Sequence, residues 1–282
     1  MKRYIQSAMT LLAALAAGAA LFGAATGSAA ERYITLASTT STQNSGLLDY
    51  LLPLFAKESG IEVRVVAVGT GQAMKLGERG DADVLLVHDT QAELEFVRQG
   101  YASERREVMH NDFIIVGPKS DPAGVAGMSD SAAALRKIAG IRAAFVSRAD
   151  DSGTHRMELR LWKKAGVAAQ AASGTWYKET GSGMGATLTT AAGLAAYTLT
   201  DRGTWAAFGH RGSLVMLVQG DPPLFNPYGV LPVNPKRHPH IKAAEAMRFV
   251  DWLTGAAGQQ AIAEFKISGE QLFFPDAKVA AR

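Results

Sequence analysis

Cysteine is absent from all 282 residues, which excludes both a disulfide framework and a thiolate metal site. A dominant sign of charge is missing too. The formal net charge is +3, Lys2 and Arg3 near the start supply two of those charges, and the rest of the chain mixes both signs. That balance gives no basis for nucleic-acid or membrane-surface binding. No glycine-rich stretch ends in Gly-Lys-Ser/Thr, so a nucleotide phosphate loop is lacking, and there is no Gly-x-Ser-x-Gly hydrolase elbow. Beyond the Ala-rich start, neither an internal repeat nor a low-complexity tract occurs.

What is there begins with a leader. Lys2 and Arg3, the apolar run from Met9 to Phe22, and the small residues Ser28-Ala29-Ala30 read as a secretory signal over residues 1–30. The mature chain of about 250 residues is long enough for one large or two medium α/β domains. Export without cysteine fits a bacterial periplasm better than the small disulfide-stapled secreted classes.

Strand and helix patterns then alternate. Tyr33–Ala37, Ile61–Val68 and Asp83–Val87 read as strands, each followed by a helical run. Asp112–Pro118 is a strongly apolar strand ending in Gly117-Pro118, read as a first crossing between two lobes. A second α/β pattern follows, with a strand at Arg142–Val146 and a helix from Arg156, and the chain returns at Pro222–Pro227.

Three turns stand at the carboxyl ends of such strands, where parallel sheets bind ligands. Five of the six residues from 37 to 42 carry hydroxyls, more than a single helix cap requires. Gly69-Thr70-Gly71-Gln72 is a second turn of this kind. Arg148 through Thr154 sets a guanidinium, hydroxyls and a glycine N–H ahead of a helix, the equipment for holding a tetrahedral oxyanion. A fourth stretch, Thr180–Thr187, is glycine-rich and reads as a close backbone approach or a plain turn.

Leu36–Leu48, Val68–Ala73, Ser147–His155 and Glu179–Leu188, in this order, resemble the extracytoplasmic tungstate-binding components of ABC transporters. The resemblance implies a two-lobed α/β fold of the type II periplasmic-binding-protein kind, each lobe a mainly parallel sheet flanked by helices and joined by two hinge strands. Lobe I is expected over 31–116 plus 227–282 and lobe II over 117–226, with hinges at Val116-Gly117 and Asn226-Pro227. It further implies no cofactor and no catalysis. The ligand is tungstate or molybdate, bound by Thr39, Thr40, Ser41, Thr70, Arg148, Ser152, Gly153 and Thr154, and the partner of a monomeric protein is a membrane permease. Threonine is usual in the family where Ser38 stands.

Other readings are weighed on the residues themselves. Phosphate or sulfate on the same fold is the nearest rival; a protonated phosphate favours a carboxylate acceptor, for which Asp83 is the candidate. Ser152, His155 and Asp151 are too close in sequence to form a nucleophile-base-orienter line readily. A sensor lobe docking on a receptor is a third class. Asp150 and Asp151 are expected to orient Arg148, His155 to pack or cap, His238-Pro239-His240 to be a solvated loop, and Trp162, Trp176, Trp205 and Trp252 to be core.

Overall fold

Period-two alternation of β-branched residues and helical spacing of leucines place the elements where the pattern expects them, with shifts at the ends. The computed structural model describes residues 32–267 and 269–278; the expected leader lies outside the described residues. The first region runs β1 (Tyr33–Thr39), α1 (Thr40–Asn44), α2 (Leu47–Ser59), β2 (Glu62–Val68), α3 (Thr70–Arg79), β3 (Val84–Val87) and α4 (Thr90–Arg98). The hydroxyl-rich turn is thus itself a short helix. Thr39 caps it by accepting the Thr42 N–H at 3.2 Å. Gly46, at φ +78°, takes the left-handed turn into α2.

The long strand β4 (Arg106–Pro118) leads to α5 (Ser131–Gly140), β5 (Phe145–Ser147), α6 (Gly153–Ala165), β6 (Tyr177–Glu179), α7 (Met184–Leu194), β7 (Thr198–Asp201), α8 (Arg202–Ala207) and β8 (Leu214–Val218). The return is β9 (Phe225–Pro232), followed by α9 (Ala243–Thr254) and α10 (Ala256–Glu264). The helix expected from Arg156 starts earlier, α6 at Gly153, because the Ser152 cap and the glycine recruit the preceding turn.

Parallel ladders join β1 to β2 and to β3, and β5 to β6. The other ladders of the large sheet are antiparallel: β9 on β3 and β4, with β7 and β8 on β4. The expectation of mainly parallel sheets is corrected to that extent. β4 and β9 run from one packing region to the other and back, so each meets its neighbours head to tail.

Apolar burial falls into four clusters. Two draw on residues between 34 and 109 and between 228 and 273, such as Leu36, Phe55, Val108, Tyr228 and Phe249, or Leu85, Phe96 and Leu231. The other two draw only on residues between 113 and 224, such as Phe113, Trp162 and Tyr177, or Ile114, Val146 and Leu188. The change on β4 lies between Met109 and Phe113, earlier than Val116-Gly117, and on β9 between Leu224 and Tyr228. The register partners at the change are Asn111 and Asn226. Trp162, Trp205 and Trp252 are buried as expected, and Trp176 is half-buried.

Candidate functional site

The carboxyl ends of the parallel strands bring the sequence-predicted turns together. Thr39 ends β1 and Thr40 follows it, Thr70 follows β2, His88 follows β3, and Arg148 follows β5. Two contacts join turns that are distant in sequence. Arg148 donates from Nη2 to Thr40 Oγ1 at 3.4 Å, and the Gly153 N–H, at the start of α6, donates to Thr70 Oγ1 at 2.9 Å.

Arg148 is 2% exposed. Its Nε and Nη2 both donate to Asp150 Oδ2, at 3.1 and 2.6 Å, while Asp150 Oδ1 accepts the Ser152 N–H at 3.2 Å. Asp150 therefore orients the guanidinium as expected. Asp151 does not; its carboxylate pairs with Arg156, at 2.8 and 2.9 Å, and that pair holds it below the usual carboxylate range.

The hydroxyls divide by what their protons do. Ser38 donates to Leu86 O at 2.8 Å, so the position where the family usually has threonine is spent on β3. Thr39 lies 3.0 Å from Ser41 Oγ and 2.7 Å from Thr42 Oγ1, and Ser41 lies 3.3 Å from His88 Nε2. Ser152 is a cap that accepts the His155 N–H at 3.2 Å. Thr40, Thr70 and Ser152 each accept one bond, and among the described residues none of the three hydroxyl protons has an acceptor. Thr154 Oγ1 is buried and has no partner at all. Burying an unpartnered hydroxyl costs free energy that an anion at this point would recover.

Glycines let the turns approach. A Cβ on Gly153 would stand 3.0 Å from Thr70 Oγ1 and 3.2 Å from the His88 ring. A Cβ on Gly71 would overlap the Asp151 carboxylate, and one on Gly183 would touch Thr40. The glycine-rich stretch is therefore beside the opening turn.

One expectation fails here, that for Asp83, and two hold. Asp83 is not near the turns: its oxygens accept the Thr35 and Lys242 N–H groups at 2.7 and 2.9 Å, at the far end of β1. His238-Pro239-His240 lie in a turn with Pro239 and His240 exposed, as expected, and the two Nε2 atoms meet the Glu78 and Gly80 carbonyls at 3.0 and 2.9 Å. Ser152, His155 and Asp151 do not line up for nucleophilic chemistry, because His155 Nδ1 accepts the Asp151 backbone N–H at 3.1 Å.

His88 is the site residue that sequence reasoning missed. It is fully buried, and burial holds its pKa below the ordinary imidazole value. Its ring stacks on Tyr228 at 4.8 Å. The rule that selected the other turns, the carboxyl end of a parallel strand, also applies to it.

A family model described as PBP superfamily domain matches residues 24–257. The chain is 47% identical over 252 residues to the tungstate-binding protein TupA of Peptoclostridium acidaminophilum, covering 88% of this chain and 87% of that one. Among solved structures it is similar to the tungstate-binding protein TupA from Desulfovibrio alaskensis G20, with 48% identity, TM-score 0.75, and coverage of 88% of this chain and 100% of that one. It is also similar to the tungstate ABC transporter structure from Geobacter sulfurreducens, with 52% identity, TM-score 0.76, and coverage of 83% and 99%. The fold is the two-lobed, type II binding-protein kind that the turns imply.

Proposed function

The chain belongs to the PBP superfamily, and on that premise we propose that it is the substrate-binding component of an ABC transporter for tungstate, with molybdate as second ligand. It binds the ion between lobes 31–116 plus 227–282 and 117–226, except that the cores change hands at Asn111 and Asn226, where we set the hinge. It acts as a monomer in the periplasm, delivers the ion to a membrane permease and performs no catalysis.

The observation that carries this reading is the meeting of Arg148 with Thr40 and of Gly153 with Thr70, together with a buried Thr154 hydroxyl that lacks a partner. Thr40, Thr70, Ser152 and Thr154 offer hydroxyl protons, and at the start of α6, where the Gly153 and His155 N–H groups go to Thr70 and Ser152, the Thr154 N–H and the positive helix end favour an anion. The carboxylates nearby, Asp150 and Asp201, are occupied by protein donors. A site rich in donors and poor in free acceptors favours a fully ionised oxyanion over a protonated phosphate.

Titration calorimetry with tungstate, molybdate, sulfate and phosphate tests it. Tungstate is expected to bind tightest, and Arg148→Ala to weaken it by about 3 kcal/mol or more, since Asp150 is left without its partner as well. A tighter constant for phosphate would overturn the ligand assignment.

A further inference from the structure

Seven buried side chains close a ring of hydrogen bonds beneath the opening turn. Six of its links are hydrogen bonds, and at the seventh the Tyr228 hydroxyl faces Thr42. Thr42, Thr39, Ser41 and His88 follow at 2.7, 3.0 and 3.3 Å. His88 Nδ1 is 2.9 Å from Asn226 Oδ1, Asn226 Nδ2 donates to Asn111 Oδ1 at 2.6 Å, and Asn111 Nδ2 reaches back to the Tyr228 hydroxyl at 3.5 Å. None of the seven is more than 4% exposed.

A neutral imidazole has one donor and one acceptor nitrogen. With Nδ1–H donating to Asn226, Nε2 accepts the Ser41 proton, Ser41 accepts from Thr39, and Thr39 accepts from Thr42. The two amides fix this direction, since the Asn226 and Asn111 nitrogens only donate and their oxygens only accept. The protons of Thr39, Ser41 and Thr42 are consumed by the ring, so these residues do not donate to a ligand.

We propose that this ring positions the opening turn for its ion and that His88 is its positioning residue, acting through Ser41; this rests on the oxyanion-binding reading above. The ring joins the turn after β1 to both strands that pass between the packing regions, at the register pair Asn111 and Asn226. His88 also lies against α6 through Gly153. Thr40 is left as the turn's side-chain donor, and its placement depends on groups that do not touch the ion. Bonds in such a ring polarise one another, so cutting any one of them loosens all.

The test combines calorimetry with sodium tungstate and ¹⁵N spectroscopy of the His88 ring. His88→Phe, which keeps the stacking on Tyr228, and Ser41→Ala are each expected to weaken binding about tenfold, and the double variant little more than either. With Thr40→Val already in place, His88→Phe costs less than it does alone, because the donor that the ring places is gone. His88→Gln, whose amide reproduces Nε2, recovers part of the affinity. The ring nitrogens report one fixed neutral tautomer. Independent, multiplying effects of Ser41→Ala and His88→Phe, or a tautomer mixture as in solvent-exposed imidazole, would overturn the ring. If the unmodified protein takes up no tungstate, the functional reading fails; the ring is then decided by the ¹⁵N signature and by coupling of the same two substitutions in thermal melts.

Discussion

Thr154 isolates the energetics of single groups in the site. Its hydroxyl is buried without a partner, so Thr154→Val removes an unsatisfied group of the free protein and a donor to the ion at once. The free protein is expected to melt at the same temperature or higher, whereas the rise in Tm on adding tungstate shrinks, by about 1 kcal/mol of lost stabilisation. Opposite signs in the two melts separate a ligand-facing hydroxyl from a packing one; a fall in the free protein's Tm alone would refute the assignment. Arg148 contrasts with it, since its side chain already has Asp150, and its charge is presented by an ion pair that is closed before any ligand arrives.

At the scale of the element, α6 matters most. Ser152 caps it, Gly166 ends it at φ +70°, and its first residue, Gly153, rests on Thr70 and His88. Further along, Arg156 and Arg160 each come within 3.5 Å of Asp89, which follows β3. The helix is thus held against the first region both at its tip and along its side. Gly153→Ala places a methyl where Thr70 Oγ1 and His88 stand at 3.0 and 3.2 Å. The expected result is weaker tungstate binding with helix α6 intact, because alanine suits a first helical turn; unchanged affinity by calorimetry would show that the close approach is not needed.

For the whole molecule, two buried carboxyls govern the response to pH. Burial pushes Glu158 and Glu93 up to about 7 from an ordinary 4.5. Glu158 accepts from Ser147, Trp162 and Tyr177 without a cation, and Glu93 accepts from Arg105 at 2.6 Å. Between those values the folded chain keeps protons that the unfolded chain has released, so this contribution to stability falls as pH rises toward 7. His88 and His155, lowered by burial, work in the opposite sense, their contribution being lost as pH falls below the ordinary imidazole range. Glu158→Gln separates the two: its Tm relative to the unmodified protein is expected to improve steadily from about pH 5 to about pH 8. A constant difference would show that Glu158 does not titrate in that interval.

Strand-helix alternation, the three hydroxyl or arginine turns and their place at strand ends were legible in the residues alone, because period, capping and glycine usage are local properties of a chain. So were Arg148 and Thr40 as candidates, though not their contact. Tertiary structure alone decided which hydroxyl protons remain uncommitted, since that depends on neighbours such as Leu86, His88 and Asp150 and not on residue type. It removed Asp83 to the far end of β1, made the strands β4 and β9 antiparallel to their neighbours, and set Asn111 against Asn226. Those outcomes come from pairing between residues from about fifty to more than a hundred positions apart, and no local pattern encodes a partner at such a distance.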